Sequence, residues 1–160
     1  STRWDEKDYI LIYTFSDWSI YQKQIQLFAK DHGLKIIAVG RYCKWAYRSY
    51  TAASFEQWIC SFRKATYVLT DSFHGTVFSL NLHTPFYIFE RMYGTATKQS
   101  VRITSLLSQF SLMERYQQVN PVSVVDNIDF EAVDKILETE RVKTYRYLQN
   151  AIANIKSNEK

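Results

Sequence analysis

The feature that most constrains the fold is a strand, a helix and a second strand in close succession near the start of the chain. Residues 9–15 read YILIYTF, a continuous apolar run typical of a strand buried on both faces. Residues 34–39, LKIIAV, predict a second strand. Between the runs, apolar side chains recur at spacings of three and four, which predicts one helix face. These positions are Trp18, Tyr21, Ile25 and Phe28. Two strands joined by such a helix are expected to be parallel, with a right-handed crossover.

The same alternation continues along the chain. Ser16 or Asp17 is expected to cap the first helix and Ser54 the second, because short polar side chains accept hydrogen bonds from helix-starting N–H groups. Strands are expected at residues 66–70, 86–89 and 115–119, and helices at 54–64, 77–82, 103–110 and 130–155, the last bent or broken near 139–144. We interpret residues 40–50 and 90–100 as loops. The pattern predicts one Rossmann-like domain over residues 1–160, with three α/β/α layers and a mostly parallel sheet.

Residues 70–76, TDSFHGT, join the third predicted strand to a helix. A strand that turns sharply into a helix points backbone N–H groups, and the positive end of the helix dipole, at whatever lies above the turn. In folds of this class, ligands bind at the carboxyl ends of the strands. We therefore expect an anion site at this turn, on the same edge of the sheet as residues 40–49 and 90–102.

Within the turn, His74 is the candidate catalytic residue, because a neutral imidazole can donate a hydrogen bond to an anion and accept a proton. Asp71 and Ser72 can serve as helix caps, while Ser72 can also donate to a phosphate or carboxylate oxygen, and Asp71 can also orient His74. Gly75 allows a backbone or a ligand to approach closely. Thr76 is expected to be a first-turn helix residue more than a ligand contact.

Residues 67–86 resemble the C-terminal signature of the polysaccharide pyruvyl transferase family. In that family a T-(D/N)-S-F-H-G-T turn precedes a short helix, the sequence x-x-P-F and a strand; here the matching residues are YVLTDSFHGTVFSL and NLHTPF. Residues 101–107 (VRITSLL) and 112–115 (LMER) are similar to a second family segment, S-R-I…L-L…L-x-D-R, from which Val101 and Glu114 depart. The resemblance extends over about residues 9–148.

The resemblance implies transfer of pyruvyl from phosphoenolpyruvate to a sugar of a cell-surface polysaccharide, with formation of a cyclic ketal. It points to His74 as the residue that meets the donor, within a substrate-binding turn formed by Asp71, Ser72, Phe73, Gly75 and Thr76. Arg102 matches the arginine of the second segment, and a guanidinium fork suits carboxylates and phosphates. Arg91, just past the fourth predicted strand, is a further anion-binding candidate.

Family members resemble two-lobed GT-B glycosyltransferases, and this chain has elements for one lobe. It also begins at Ser1 without an initiator Met, so we expect the C-terminal, donor-binding lobe of a larger enzyme, inactive without its N-terminal lobe. The expected partners are phosphoenolpyruvate as donor substrate, with no other cofactor, and a sugar or lipid-linked oligosaccharide acceptor. Two alternatives remain open: the donor lobe of a nucleotide-sugar glycosyltransferase, tested by binding of UDP or CMP, and a non-enzymatic anion-binding module.

Composition argues against several other classes of protein. The net charge is +4, and residues 30–64 carry seven Lys or Arg against two Asp or Glu, but no nucleic-acid motif accompanies them. Cys43 and Cys60 match no zinc spacing, the three histidines lie far apart, and we expect no metal. Neither a membrane-spanning run nor a signal peptide is apparent. A cytoplasmic location is expected, with peripheral attachment at the inner membrane face as a further possibility.

Overall fold

The structure is a computed structural model that describes residues 4–90, 96–117 and 127–158. The chain forms two compact units, Ser1–Ile128 and Asp129–Lys160, and the single domain expected over residues 1–160 stays a prediction. The first unit alternates strands and helices: β1 (Tyr9–Tyr13), a 3-10 turn (Ser19–Tyr21), α1 (Gln22–Asp31), β2 (Lys35–Val39), β3 (Arg48–Tyr50), α2 (Phe55–Arg63), β4 (Tyr67–Thr70), α3 (Phe73–Asn81), β5 (Phe86–Phe89), α4 (Ala96–Gln109), a second 3-10 turn (Met113–Arg115) and β6 (Tyr116–Gln117). The second unit contains α5 (Phe130–Asn158).

The six strands form one sheet in the order β3-β2-β1-β4-β5-β6, and every neighbouring pair is parallel. Ile12 of β1 is in register with Ala38 of β2 on one side and Leu69 of β4 on the other. The chain builds outward from β1 in one direction and from β4 in the other, so the strand order reverses between them. This arrangement confirms the predicted Rossmann-like fold. It places the ends of β1 and β4 side by side at the point where such folds bind ligands.

Helices cover both faces of the sheet, which explains why the strands are continuous apolar runs. On one face α1 and the preceding 3-10 turn pack on alternate strand residues; this cluster includes Trp18, Tyr21, Ile25, Phe28, Ile10, Ile12, Leu69 and Phe89. On the other face the Tyr13 ring meets Trp58 and Phe62 of α2, with ring centroids 5.4 and 5.6 Å apart. Trp58 in turn contacts Phe78 of α3 at 4.7 Å. The two faces together bury a core of aromatic and branched aliphatic side chains.

The start of the first helix differs from the prediction. Asp17 accepts hydrogen bonds from the backbone N–H and the hydroxyl of Ser19, at 3.0 and 2.6 Å, so it closes a turn ahead of the 3-10 segment instead of capping an α-helix. The α-helix begins only at Gln22, without a side-chain cap. At α2 the prediction is confirmed, since Ser54 forms a reciprocal capping box with Gln57.

Residues 40–50 were predicted to be a loop, but they contain β3, which pairs with β2. This strand is set by its partners: Glu6, which is buried, accepts hydrogen bonds from Arg48 at 2.7 Å and from the Tyr50 hydroxyl at 2.6 Å. Such contacts between distant residues leave no periodic signal in the sequence.

Both α4 and α5 are longer than predicted, and α3 begins at Phe73, ahead of the apolar run at residues 77–82. α4 begins at Ala96, inside the segment interpreted as a loop, because polar residues extend a helix that Ile103 and Leu107 anchor further along. α5 runs without a break through residues 139–144. There Thr139 donates back to the Lys135 carbonyl at 2.9 Å, and Lys143 pairs with Glu140 at 2.7 Å. These local contacts satisfy the polar side chains within the helix.

Candidate functional site

The carboxyl ends of β1, β2 and β4 bring three segments to one edge of the sheet: residues 14–19, residues 40–47 and the turn into α3. This is the edge at which the sequence predicted a ligand site. A buried carboxylate, that of Asp71, connects the first of these segments to the third.

Asp71 lies at the end of β4 and is fully buried. Its Oδ1 accepts from the Phe15 N–H at 2.9 Å, and its Oδ2 accepts from the Thr14 hydroxyl and the Ser16 N–H, both at 2.9 Å. The sequence left open whether Asp71 caps a helix or orients His74. The structure gives it another role, because it holds the loop after β1 against the start of α3.

Thr70 reinforces the same junction from the other side. Its hydroxyl donates to the Tyr13 carbonyl at 2.6 Å and accepts from the Ser72 N–H at 3.1 Å. A Cβ at position 75 would overlap the Thr70 hydroxyl and lie 3.1 Å from its Cβ. Gly75 is therefore required, because the first turn of α3 packs directly on Thr70. The group that approaches Gly75 closely is thus a side chain of the protein itself.

Ser72 and Thr76 also have partners within the turn. Ser72 is the N-cap of α3, and its hydroxyl accepts from the Gly75 N–H at 3.4 Å. The Thr76 hydroxyl donates to the Ser72 carbonyl at 3.0 Å, and both side chains are buried. These contacts match the helix-cap and first-turn roles expected from the sequence, while substrate binding by the two residues stays a prediction.

His74, by contrast, is exposed in the first turn of α3. Among the residues that the structure describes, its imidazole makes no hydrogen bond or ion pair; its recorded contact is with the Phe73 ring, at 6.1 Å between centroids. Asp71 therefore does not orient it. The imidazole is available to a ligand above the turn.

Arg102 of α4 reaches the same place. Its guanidinium carbon lies 4.2 Å from the centroid of the Phe73 ring, a stacking distance for a cation on an aromatic face. The structure thus brings together the two sequence segments that carry the predicted site, the turn at 70–76 and the helix containing Arg102. Phe73, counted with the substrate-binding turn, serves as the platform between them.

The remaining candidate, Arg91, falls outside the described residues, and two other basic residues have local roles. Arg41 donates to the Phe15 carbonyl at 2.9 Å and so joins the loops after β2 and β1. His32 contacts the Phe28 carbonyl at 2.9 Å at the end of α1. Within residues 4–90, 96–117 and 127–158, no group of three or more His, Cys, Asp or Glu side chains has the geometry to hold a metal ion.

Sequence reasoning missed the loop after β1 as part of the site. A signal was present, since polar residues follow directly after a buried strand in the positions Thr14, Ser16, Asp17 and Ser19. Helix capping is the role that the sequence predicts for Ser16 and Asp17. The contacts of Thr14 and Ser16 with Asp71 depend on the position of β1 beside β4, which the sequence pattern does not give.

The charge of Asp17 is favoured by its surroundings. Hydrogen bonds from the hydroxyl and the backbone N–H of Ser19, with the positive charges of Arg41 and Lys44 nearby, lower the pKa of its carboxyl group. Burial raises the pKa of the Cys43 thiol on the neighbouring loop. At neutral pH this edge therefore carries a carboxylate beside two cations and an uncharged thiol.

Comparison with known proteins gave one family. A family model described as polysaccharide pyruvyl transferase matches residues 1–91, more than half of the chain, and that match includes the turn at 70–76 but not Arg102. A search of curated proteins found no significant match. No helix in the described part of the chain is long and apolar enough to cross a membrane.

Proposed function

The chain belongs to the polysaccharide pyruvyl transferase family, and from that premise we propose that this unit binds phosphoenolpyruvate at the start of α3 and presents it for transfer to a sugar. The product is a cyclic pyruvate ketal on two sugar hydroxyls. The proposal concerns the donor site.

The observation that carries the proposal is the convergence of His74 and Arg102 on the Phe73 ring at a helix N-terminus. Phosphoenolpyruvate has a phosphate and a carboxylate on adjacent positions of a small planar molecule. A guanidinium fork suits either anion. The backbone N–H groups of Phe73 and His74 are at the first two positions of α3, where no carbonyl of the helix can accept from them. They can therefore donate to the other anionic group of the donor.

The reaction requires a proton and two sugar hydroxyls. A general acid adds a proton to the methylene carbon of the donor, which becomes a methyl group and leaves positive charge on the adjacent carbon. One sugar hydroxyl forms a C–O bond there and loses its proton. The carbon–oxygen bond to phosphate then breaks, and the second hydroxyl closes the ring as it loses its own proton. The two hydroxyl protons balance the one taken up by the methyl group and the one taken up by phosphate.

His74 is the side chain proposed for proton transfer or for stabilising the departing phosphate, because it is exposed and free of hydrogen bonds within the described residues. Arg102 holds the donor's negative charge beside it. The buried contacts of Asp71 and Thr70 keep the turn in one geometry, which matters because reactive groups must be positioned closely for efficient catalysis.

The rest of the enzyme is part of the proposal as well. An N-terminal lobe, resembling that of GT-B enzymes, would supply the opposite wall of the cleft and the remaining acceptor contacts. We expect this chain alone to bind the donor with little transferase activity. A lipid-linked oligosaccharide acceptor would locate the reaction in the cytoplasm at the inner membrane face.

Calorimetric titration of the chain with phosphoenolpyruvate tests the donor site. Saturable binding that is lost in His74→Ala and in Arg102→Ala is the expected result. His83→Asn is the control: His83 lies beyond the other end of α3 with a φ of 55°, a conformation that Asn tolerates, and it should bind the donor as wild type does.

UDP and CMP are titrated in parallel. Binding of either nucleotide with loss in the same variants would favour the donor lobe of a nucleotide-sugar glycosyltransferase. Absence of phosphoenolpyruvate binding in a folded chain would contradict a donor site built by this unit alone. Unchanged binding in both variants would contradict the roles of His74 and Arg102.

A further inference from the structure

A pocket of about 280 Å³ opens between the loops that follow β1 and β2. It lies on the same edge of the sheet as the turn into α3, yet neither His74 nor Arg102 lines it. Its size is at the lower end of small-ligand sites, which begin at roughly 300 Å³. Its lining includes Asp17, Trp18, Ser19, Arg41, Tyr42 and Trp45.

The charged groups on the wall are mixed. Asp17 is a hydrogen-bond acceptor, whereas Arg41 and Lys44 are donors. The carboxylate would repel a bound anion. The guanidinium and ammonium groups would repel a bound cation. Donors and acceptors placed side by side suit a neutral ligand with several hydroxyl groups, each of which both donates and accepts.

Aromatic side chains supply the apolar part of the pocket. Tyr42 is 70% exposed at the rim, a large solvent contact for an aromatic ring. Trp45 is half-buried and packs against the core on its inner side. Flat aromatic surface with a polar edge matches the apolar C–H face and polar hydroxyl edge of a pyranose ring.

Trp18 forms part of the pocket wall, although only 3% of its surface is exposed to solvent. Its indole N–H is buried and has no hydrogen-bond partner within the described residues. The signal of this N–H is therefore a reporter of any ligand that enters the pocket.

The pocket walls are held in place before any ligand arrives. The Ser49 hydroxyl accepts from the Cys43 N–H at 3.0 Å and donates to the Cys43 carbonyl at 3.2 Å, which fixes the loop after β2. Arg41 ties that loop to the Phe15 carbonyl. Asp71 holds Thr14 and Ser16, which also line the pocket.

From these observations we infer that the pocket binds one sugar residue of the acceptor, with its ring against Trp45 and Tyr42 and its hydroxyls on Asp17 and Arg41. The inference rests on the proposed function for the identity of that sugar as an acceptor. Thr14 and Ser16 connect the pocket to the proposed donor turn. They line the pocket and are hydrogen-bonded to Asp71 at the base of that turn.

Proton–nitrogen NMR spectra of the four indole groups test the inference directly. The probes are methyl glycosides of the common hexoses and N-acetylhexosamines, at concentrations up to tens of millimolar. The signals of Trp18 and Trp45 should shift saturably with at least one glycoside. The signal of Trp4, whose Nε1 donates to the Tyr9 hydroxyl at 3.0 Å, should not move.

Two variants are expected to weaken glycoside binding by a factor of about three to ten. Tyr42→Ala removes an exposed ring without disturbing the core. Asp17→Asn keeps the acceptor for Ser19 but removes the charge. Tyr47→Ala is the matched control, because Tyr47 is an exposed aromatic on the same connection but does not line the pocket; its affinity should equal that of wild type.

The outcomes separate this inference from the donor site. Glycoside binding that survives His74→Ala and fails in Tyr42→Ala supports the sugar subsite, whatever the donor titration shows. Phosphoenolpyruvate binding with no glycoside shift at Trp18 or Trp45 would overturn the sugar subsite and leave the donor site intact. Shifts of these two indoles by phosphoenolpyruvate or UDP, and not by glycosides, would identify an anion pocket and also overturn the inference.

Discussion

The Asp71 carboxylate accepts a hydrogen bond from the Ser16 N–H at 2.9 Å, across 55 residues of sequence. Ser16 follows β1 and Asp71 follows β4, the two strands between which the sheet order reverses. One buried side chain therefore fixes the backbone at the point where a Rossmann-like fold binds its ligand. The geometry of the turn into α3 and of the neighbouring pocket depends on this contact.

Replacement of Asp71 should destabilise the chain. Asp71→Ala removes the buried carboxylate that accepts from the Phe15 N–H, the Ser16 N–H and the Thr14 hydroxyl, and the loss of hydrogen bonds to a charged group is costly. We expect a loss of about 2–4 kcal/mol in the free energy of unfolding, with a smaller loss for Asp71→Asn. Urea denaturation measures it. Asp31→Asn, at the exposed end of α1, is the control and should leave stability unchanged. Equal stability of Asp71→Ala and wild type would show that Asp71 does not hold the loop after β1 in place.

Gly75→Ala should destabilise through a clash with Thr70. The new Cβ would overlap the Thr70 hydroxyl, and overpacking of this kind costs about 1–3 kcal/mol. A double-mutant cycle with Thr70→Ala isolates the cause. The two changes should show a coupling of at least about 0.5 kcal/mol, because removal of the hydroxyl relieves part of the clash. Strict additivity would show that Gly75 is needed for another reason.

Arg102→Lys should separate the effect of charge from that of geometry at the proposed donor site. Lysine keeps the positive charge but loses the planar fork and the stacking on Phe73. We expect phosphoenolpyruvate affinity to fall about tenfold, with unfolding free energy changed by less than about 0.5 kcal/mol because the residue is exposed. Arg63→Lys, at the exposed end of α2, is the matched control. Wild-type affinity in Arg102→Lys would mean that only the charge matters.

The Cys43 thiol should react slowly at neutral pH. Burial raises its pKa, so the reactive thiolate forms only above the ordinary range near 8.5. Because the pKa of the thiol is higher in the folded than in the unfolded chain, the protonated thiol stabilises the fold fully below the unfolded pKa. This stabilisation is lost as pH rises through the folded pKa. Iodoacetamide kinetics against pH in Cys60→Ser measure the folded value. A midpoint at or below that of a model thiol would contradict the burial argument. Because Cys43 lines the pocket, a bound glycoside should slow its alkylation further.

Much of the fold was accessible from sequence, because the strands of a parallel sheet are buried on both faces and so appear as unbroken apolar runs. The runs at residues 9–15, 34–39 and 66–70 each produced a strand close to the expected bounds. β3 escaped detection since its three residues are set by pairing with β2 and by Glu6, 42 residues away from Arg48. The 3-10 entry to α1 escaped for a different reason: Asp17 can cap a helix or close a turn, both roles are local, and the sequence does not distinguish them.

The sequence by itself determined that a strand turns into a helix at residues 70–76 and that His74 stands in its first turn, since both follow from local periodicity and from the chemistry of short polar residues. Only the tertiary structure decided what Asp71, Gly75 and Arg102 contact. Their partners, Ser16, Thr70 and Phe73, are set by the order of strands in the sheet and by the packing of helices. Local propensity carries no information about contacts made across tens of residues, and those contacts bring the site together.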